Sequence, residues 1–500
     1  MEDKMERFIN SNQLLKARYS QAEIELLSEF YAARDFEPLM VISDSTFSKY
    51  GNQLQAISIL GQGFGTPSYY ILKSDDTLHP IEKELNAVIN LSRYMGIAKS
   101  GFYNYKEQKP KDLILPSTAK LQQFFSIKKA KKQEQFIINC GPVSDTNYRY
   151  LAEGLLAFAK THPIDTVSYD LKALKAVANE KKSFSIKQLR AKGYMGMQYS
   201  AKLFEKSLLS FKSDNGLDST AEINDYTLEA LGESNRHRLD RAAISLDKLR
   251  QKTNYGSKYV RINIPEYNLY FYANDSLKAI HRVVVGKRTT PTPTLTSEIR
   301  TLIIYPYWRV PSSIIKKEIM PDVYRNPAYL EKHHYKLCRY DDTTRINPSS
   351  INWSARPGGF NVIQMPGRWN SLGIIKFEFL SSESVYVHDT PQKGFFNRHV
   401  RSFSHGCMRC QNPIELGKLM LQYDQEGRRR NSMRPDTLDS LVRIGKHTAL
   451  GLKTRIPIFV EYQTVTTHNR RITFHIDIYF KEEEILANIA KQQTKKKPRS

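Results

Sequence analysis

The sequence predicts an α+β chain: a helical scaffold and a small helical module, followed by a β-rich domain that carries an inserted capping segment. Three observations support this. Apolar residues recur at helical spacing up to about residue 250, short β-branched and aromatic runs replace them beyond Asn254, and a Pro-, Lys- and Tyr-rich interval at 312–359 interrupts the strand rhythm. At 500 residues the chain is too long for one core, so roughly two to four units are expected.

In the first half, Ile24, Leu27, Phe30 and Tyr31 share one face of a helix, and Leu85, Val88 and Ile89 share another. Tyr148, Leu151, Leu155 and Ala159 repeat the pattern. The basic run at 126–135 reads as an exposed loop or helix face. A compact unit follows, with Phe204, Leu208 and Phe211 in period, an Asn215-Gly216 turn, and Asp225 placed to cap a last helix. The expected divisions are an N-terminal segment 1–21, a scaffold 22–198, a helical module 199–235 and a helical linker 236–255. A β-rich domain at 256–480 and a cationic tail at 481–500 complete the chain.

The strands of the β-rich domain are read at 259–264, 267–272, 282–286, 300–304, 376–379, 385–388 and 456–465, with a closing pair at 471–480. The interval 312–359 contains a helix-like stretch and reads as a lid or subdomain inserted between them.

Lys and Arg number 75 against 51 Asp and Glu, a net charge of +24 that favours polyanionic surroundings. No helix-turn-helix, zinc-finger spacing or RNP-type strand is present, so nucleic acid is not the expected partner. No apolar run is long enough for a signal peptide or a membrane span. Four cysteines, Cys140, Cys338, Cys407 and Cys410, are too few for a disulfide scaffold.

The chemistry concentrates in Val385-Tyr-Val-His388-Asp-Thr-Pro391 and Arg401-Ser-Phe-Ser404-His405-Gly406-Cys407-Met408-Arg409. A histidine ends a strand, and a cysteine follows a small-residue turn 407 − 388 = 19 positions later. A thiol becomes a strong nucleophile once an imidazole takes its proton. Gly406 suits a turn with positive φ, and the amides at Gly406 and Cys407 are candidate oxyanion donors. Thiolate, base and donors are the three parts that acyl transfer requires, with no metal and no cofactor. Cys407-x-x-Cys410 is also the spacing of a redox pair or half a zinc site, but no βαβ unit precedes it and no second such pair follows. A buried structural thiol, a cysteine peptidase and a sortase-like enzyme are the other readings of Cys407.

These motifs resemble the L,D-transpeptidase (YkuD-type) catalytic domain, whose signature is a strand histidine followed by Ser-His-Gly-Cys. The resemblance continues through Val285-Gly286-Lys287, Thr290-Pro-Thr-Pro293, Trp308-Arg-Val-Pro311, Gln364-Met-Pro-Gly367, Asn370-Ser-Leu-Gly373 and Lys376-Phe377. The arrangement is most similar to the large Gram-negative subgroup, with the 199–231 segment resembling a peptidoglycan-binding module. The chain departs from that module at Ala221-Glu222-Ile223-Asn224, where a Gly-containing turn is usual.

The resemblance implies that Cys407 attacks a peptidoglycan tetrapeptide stem, releases D-Ala and passes the acyl group to a diamino-acid amine as a 3→3 cross-link. A lipoprotein lysine, a D-amino acid or water are competing acceptors, which makes L,D-carboxypeptidase action or protein-to-wall attachment the alternatives. A non-catalytic peptidoglycan-binding scaffold is a further one. His388 is the implied base, oriented by a backbone carbonyl near Asp389, and His405 the implied shaper of the turn. Tyr386, Trp308, Arg409, Ser404 and Asn370 are the implied substrate-facing residues. Peptidoglycan stem peptides and glycan, with envelope proteins, are the implied partners; the periplasm or cell envelope is the implied location, and carbapenems the implied acylating drugs.

Overall fold

The computed structural model describes residues 2–11, 18–39, 59–60, 80–169, 178–251, 255–339, 345–355, 359–424, 435–468 and 470–496. They form two compact units, 1–253 with 464–500, and 254–463.

The first unit is mainly helical. Its core gathers Leu27, Phe30 and Tyr31 from helix Gln21–Ala32, Leu85, Val88 and Ile89 from Pro80–Ser100, and Leu151 and Leu155 from Thr146–Thr161. Ser20 starts the first of these with a capping box closed by Glu23, which satisfies amides that the helix leaves unbonded. Within the expected N-terminal segment, helix Glu2–Ser11 buries Met5 and Ile9 in the same core. Lys128, Lys129, Lys131 and Lys132 of the basic run are exposed.

Helices Ala178–Ala191, Ala201–Asp214 and Asp225–Gly232 share a separate small core of Phe184, Leu189, Phe204, Leu208, Phe211, Leu228 and Leu231. The cap of the last helix is Asn224 rather than Asp225, because the Asn224 side chain accepts the Thr227 amide. Residues 218–222, just before it, wrap around the fully buried Lys212, whose ammonium donates to the Asp218 carboxylate at 2.7 Å and to the Thr220 and Glu222 carbonyls at 2.8 and 2.9 Å.

Two expectations change here. The segment read as a helical linker is indeed helical, Asn235–Arg250, but it is a buried core element whose Leu239, Ala242, Ala243, Ile244, Leu246 and Leu249 are apolar on more than one face. The segment read as a tail is helix Lys481–Lys496, whose Ile489 is buried with Ile97, Phe102, Tyr103 and Ile244. Residues 497–500 lie outside the described residues. Of the closing pair expected at 471–480 only Arg471–Phe474 is a strand; its partner is Val465–His468, and both lie in this unit rather than in a β-rich domain reaching 480.

The second unit is built on strands β1 (Tyr259–Asn263), β2 (Asn268–Ala273), β3 (Ser276–Gly286), β4 (Leu295–Ile304), β5 (Trp308–Arg309), β6 (Tyr335–Cys338), β7 (Arg345–Ile346), β8 (Asn361–Gln364), β9 (Ile375–Phe379), β10 (Val387–His388), β11 (Ser402–Ser404), β12 (Met408–Cys410) and β13 (Thr448–Glu461). Nine of them run in the order β11-β3-β12-β10-β9-β4-β13-β1-β2, and a further β2–β3 pairing closes the sheet on itself as a barrel. Val260, Ile262, Leu269, Phe271, Val283, Val285, Leu302, Ile304, Phe377, Ile456 and Ile458 are fully buried in it.

The inserted segment is a subdomain with its own sheet, in the order β5-β8-β6-β7, so it spans Trp308 to Gln364 rather than 312–359. Its core is Ile315, Ile319, Met320, Val323, Leu330, Leu337, Trp353 and Val362. Its strands are only two to four residues long, too short for alternation to register in sequence.

In the first unit, Arg241 forms a two-pronged pair with Glu233 at 2.7 and 2.9 Å, and His237 bonds Glu233 at 2.7 Å and Glu483 at 3.0 Å. These carboxylates outweigh the burial that opposes charge and raise His237 to about 10. A histidine held above its free value of ~6.5 stabilises the fold fully below that pH and loses its contribution as pH rises through 10. The expected result is a melting temperature for this unit that falls between about pH 6.5 and 10, and that His237→Gln flattens across the same window, read by calorimetry.

Candidate active site

The site is built on two very short strands. β10 and β12 pair in parallel, with Val387 opposite Met408 and His388 opposite Arg409, and the Met408 amide extends the ladder to the Tyr386 carbonyl at 3.0 Å. Side chains alternate along a strand, so Val387 and Met408 enter the core while Tyr386, His388, Cys407 and Arg409 share the other face. Cys407 and His388 are thereby diagonal neighbours.

The turn that delivers Cys407 is clamped by β3, which pairs with β12 on one side and β11 on the other. Gly406 adopts φ +115°, a conformation that a side chain disfavours even though a Cβ there would meet only ordinary contacts, the nearest at 3.6 Å. The Ser404 hydroxyl donates to the Cys407 carbonyl at 2.6 Å and accepts the Gly406 amide at 3.1 Å. Fully buried Thr292 donates to the Gly406 carbonyl at 2.7 Å and accepts the Gly286 amide at 2.9 Å. Sequence reading gave Thr292 no role, although its motif was noted.

His388 is buried, and its Nδ1 donates to the Asp389 carbonyl. Because a carbonyl only accepts, Nδ1 carries the hydrogen and Nε2 keeps the lone pair that a base needs. Burial, the nearby Arg409 charge and Lys376 together drive the imidazole down to about 3, so it is neutral at ordinary pH. Burial pushes the Cys407 thiol up, against the hydrogen bonds from Tyr386 and the charges of Lys376 and Arg409. The pair therefore rests as thiol and neutral imidazole. The Tyr386 hydroxyl bonds the Cys407 sulfur and accepts from Trp308, and the Tyr386 and His388 rings meet edge-on at 5.7 Å.

The structure separates the other expected residues. Asn370 is fully buried, and its amide group serves the Pro306, Gln364 and Met365 carbonyls and the Leu372 amide, so it clamps a loop rather than facing a substrate. Ser404 is buried and braces the turn, and it occupies the Gly406 amide, one of the two donors expected from sequence. The Asp389 carboxylate accepts the Ile374 amide at 3.0 Å and Lys393, beneath Gly373, where any Cβ would strike it. His405 is exposed and pairs through Nε2 with Glu318 of the inserted subdomain at 2.6 Å. Arg409 lies 5.4 Å from the Phe395 ring centroid and donates to Gln392 at 2.6 Å.

Cys410 is fully buried, with its thiol pushed well up by burial, and all four cysteines are free thiols. Among the described residues, no three His, Cys, Asp or Glu side chains converge as a metal site would need, and no helix is long and apolar enough to cross a membrane.

Thr292→Val keeps the side-chain volume but leaves the Gly406 carbonyl and Gly286 amide without that hydroxyl. A loss of about 1–3 kcal/mol is expected in denaturant unfolding of this unit, with slower labelling of Cys407 by a thiol reagent.

Residues 257–429 match the family model of the L,D-transpeptidase catalytic domain, YkuD. The chain is also 30% identical over 226 residues to a Haemophilus influenzae protein named "Putative L,D-transpeptidase", covering 45% of this chain and 44% of that protein. The matched segment thus spans less than half the length of this curated relative. Residues 257–429, which carry Cys407 and His388 on two adjacent short strands, thus match the L,D-transpeptidase catalytic domain within a longer chain.

Proposed function

We propose that the protein is a cysteine acyltransferase of the cell envelope that acts on peptidoglycan tetrapeptide stems and joins them by 3→3 cross-links. The observation that carries this reading is the shared face of Tyr386, His388, Cys407 and Arg409, set by the register of β10 and β12 within the matched domain. As substrate excludes water, His388 Nε2 takes the thiol proton and Cys407 Sγ attacks the carbonyl of the third stem residue. The Cys407 amide and the Tyr386 hydroxyl stand near the developing oxyanion. The carbon–nitrogen bond breaks, the leaving D-Ala amine takes the proton from His388, and a thioester remains. An amine from a second stem then attacks, giving its proton to His388, and the thiol is restored. Arg409 offers a guanidinium to the acidic stem. This chemistry places the protein in the periplasm or elsewhere on the wall side of the envelope.

Incubation with disaccharide-tetrapeptide, followed by intact-protein mass and muropeptide analysis, tests the reading. Wild type should gain a stem adduct, release D-Ala and yield 3→3 dimers, and Cys407→Ala should do none of these. Tripeptide without dimers would move the assignment to an L,D-carboxypeptidase, and no adduct at all would move it to a binding scaffold.

Tyr386→Phe removes one donor from the oxyanion and from the sulfur. Its acylation rate, by tetrapeptide or by a carbapenem, should fall about 100-fold with little change in melting temperature.

A further inference from the structure

A lysine stands on the reactive face that the chemistry above leaves unused. Lys376 lies opposite His388 in the antiparallel pairing of β9 with β10, so its side chain emerges beside the imidazole. Its ammonium sits 4.4 Å from the centroid of the Tyr386 ring, the ring whose hydroxyl bonds the Cys407 sulfur. Glu378, two residues along on the same face, holds that ammonium at 2.9 Å, and the lysine side chain is only 18% exposed. Sequence gave no sign of this role, because an alternating Ile-Lys-Phe-Glu-Phe strand places a charge at each outward position as a matter of course.

We infer that Lys376 is a positioning residue for the nucleophile: its ammonium seats the Tyr386 ring by a cation–π contact and so holds the hydroxyl on the Cys407 sulfur. The inference deepens the acyltransferase reading and rests on Cys407 being the nucleophile. An ammonium over a ring face is attracted by the ring's quadrupole and restrains the ring's tilt, which here aims the hydroxyl at sulfur. The same charge lowers the cost of the thiolate and keeps the resting imidazole neutral, at the expense of opposing the proton that His388 must take. Arg409 acts in the same direction, and Glu378 opposes both by neutralising part of the lysine charge. A plain surface ion pair between Lys376 and Glu378 would leave the thiol indifferent to either residue.

Alkylation of the full chain by iodoacetamide, followed by intact mass from about pH 6 to 10, reads the thiol without any substrate. Cys140, Cys338 and Cys410 are buried, and Cys407→Ala supplies the background. Lys376→Met is expected to move the Cys407 profile up by about one pH unit, slowing labelling roughly tenfold on its rising limb, and Lys376→Arg to restore most of it. Glu378→Gln, at a half-exposed position, is expected to move the profile down. A Lys376→Met profile that overlies wild type, or a Lys376→Arg profile displaced as far as that of Lys376→Met, overturns the inference. If Lys376→Met does not fold, the absence of a downward shift in Glu378→Gln overturns it instead. Failure of the acyltransferase reading is separate: it appears as no stem adduct on a protein whose Cys407 alkylates normally.

Discussion

The reactive site depends on a ladder two residues long. If β10 slipped by one residue against β12, His388 would turn into the core and Val387 onto the surface, and the imidazole and thiol would no longer share a face. Such a short pairing has little stability of its own. It is held because β3 pairs with β12 and β11 at once, and because the closed barrel leaves β3 fixed by β2 on its other side. The Gly406 turn is then constrained from three directions, by Thr292, by Ser404 and by the Met408 amide on the Tyr386 carbonyl. The geometry of the reacting atoms is thus a property of the backbone lattice.

Electrostatics follows from the same placement. Burying a histidine among cations makes it a poor resting partner for a thiolate, so the site stores no ion pair and holds a neutral base instead. The tautomer is fixed by the Asp389 carbonyl, which lies next in the chain and moves with the strand, so orientation of the base requires no distant residue. The Asp389 carboxylate does other work, tying the Ile374 amide and Lys393 together under the loop.

The division into a helical first half and a β-rich domain was legible because long amphipathic periods and β-branched runs are written over many residues, as in Leu27, Phe30 and Tyr31 or in Val283, Val284 and Val285. Cys407 and His388 stood out in the sequence because their local sequences are dense with reactive side chains, and the structure sets them on adjacent strands. The inserted subdomain's sheet was not, since pairing of two to four residues is decided by distant partners. Asn370 and Ser404 were substrate-facing by resemblance alone, and only their hydrogen bonds revealed bracing roles. The last helix resembled a tail because the sequence ends in the basic run from Thr494, while Ile485, Leu486 and Ile489 upstream carry the packing.

The inserted subdomain holds itself together with a core centred on Ile319, Val323 and Trp353, while its Glu318 reaches the residue beside Gly406 through an exposed contact with His405 and its Trp308 bonds Tyr386. Exposed pairs of that kind contribute little to stability. Heritable change can therefore accumulate in the subdomain's own core without unmaking the closed barrel on which Cys407 and His388 stand. Lineages can in this way vary the inserted segment while inheriting the barrel intact.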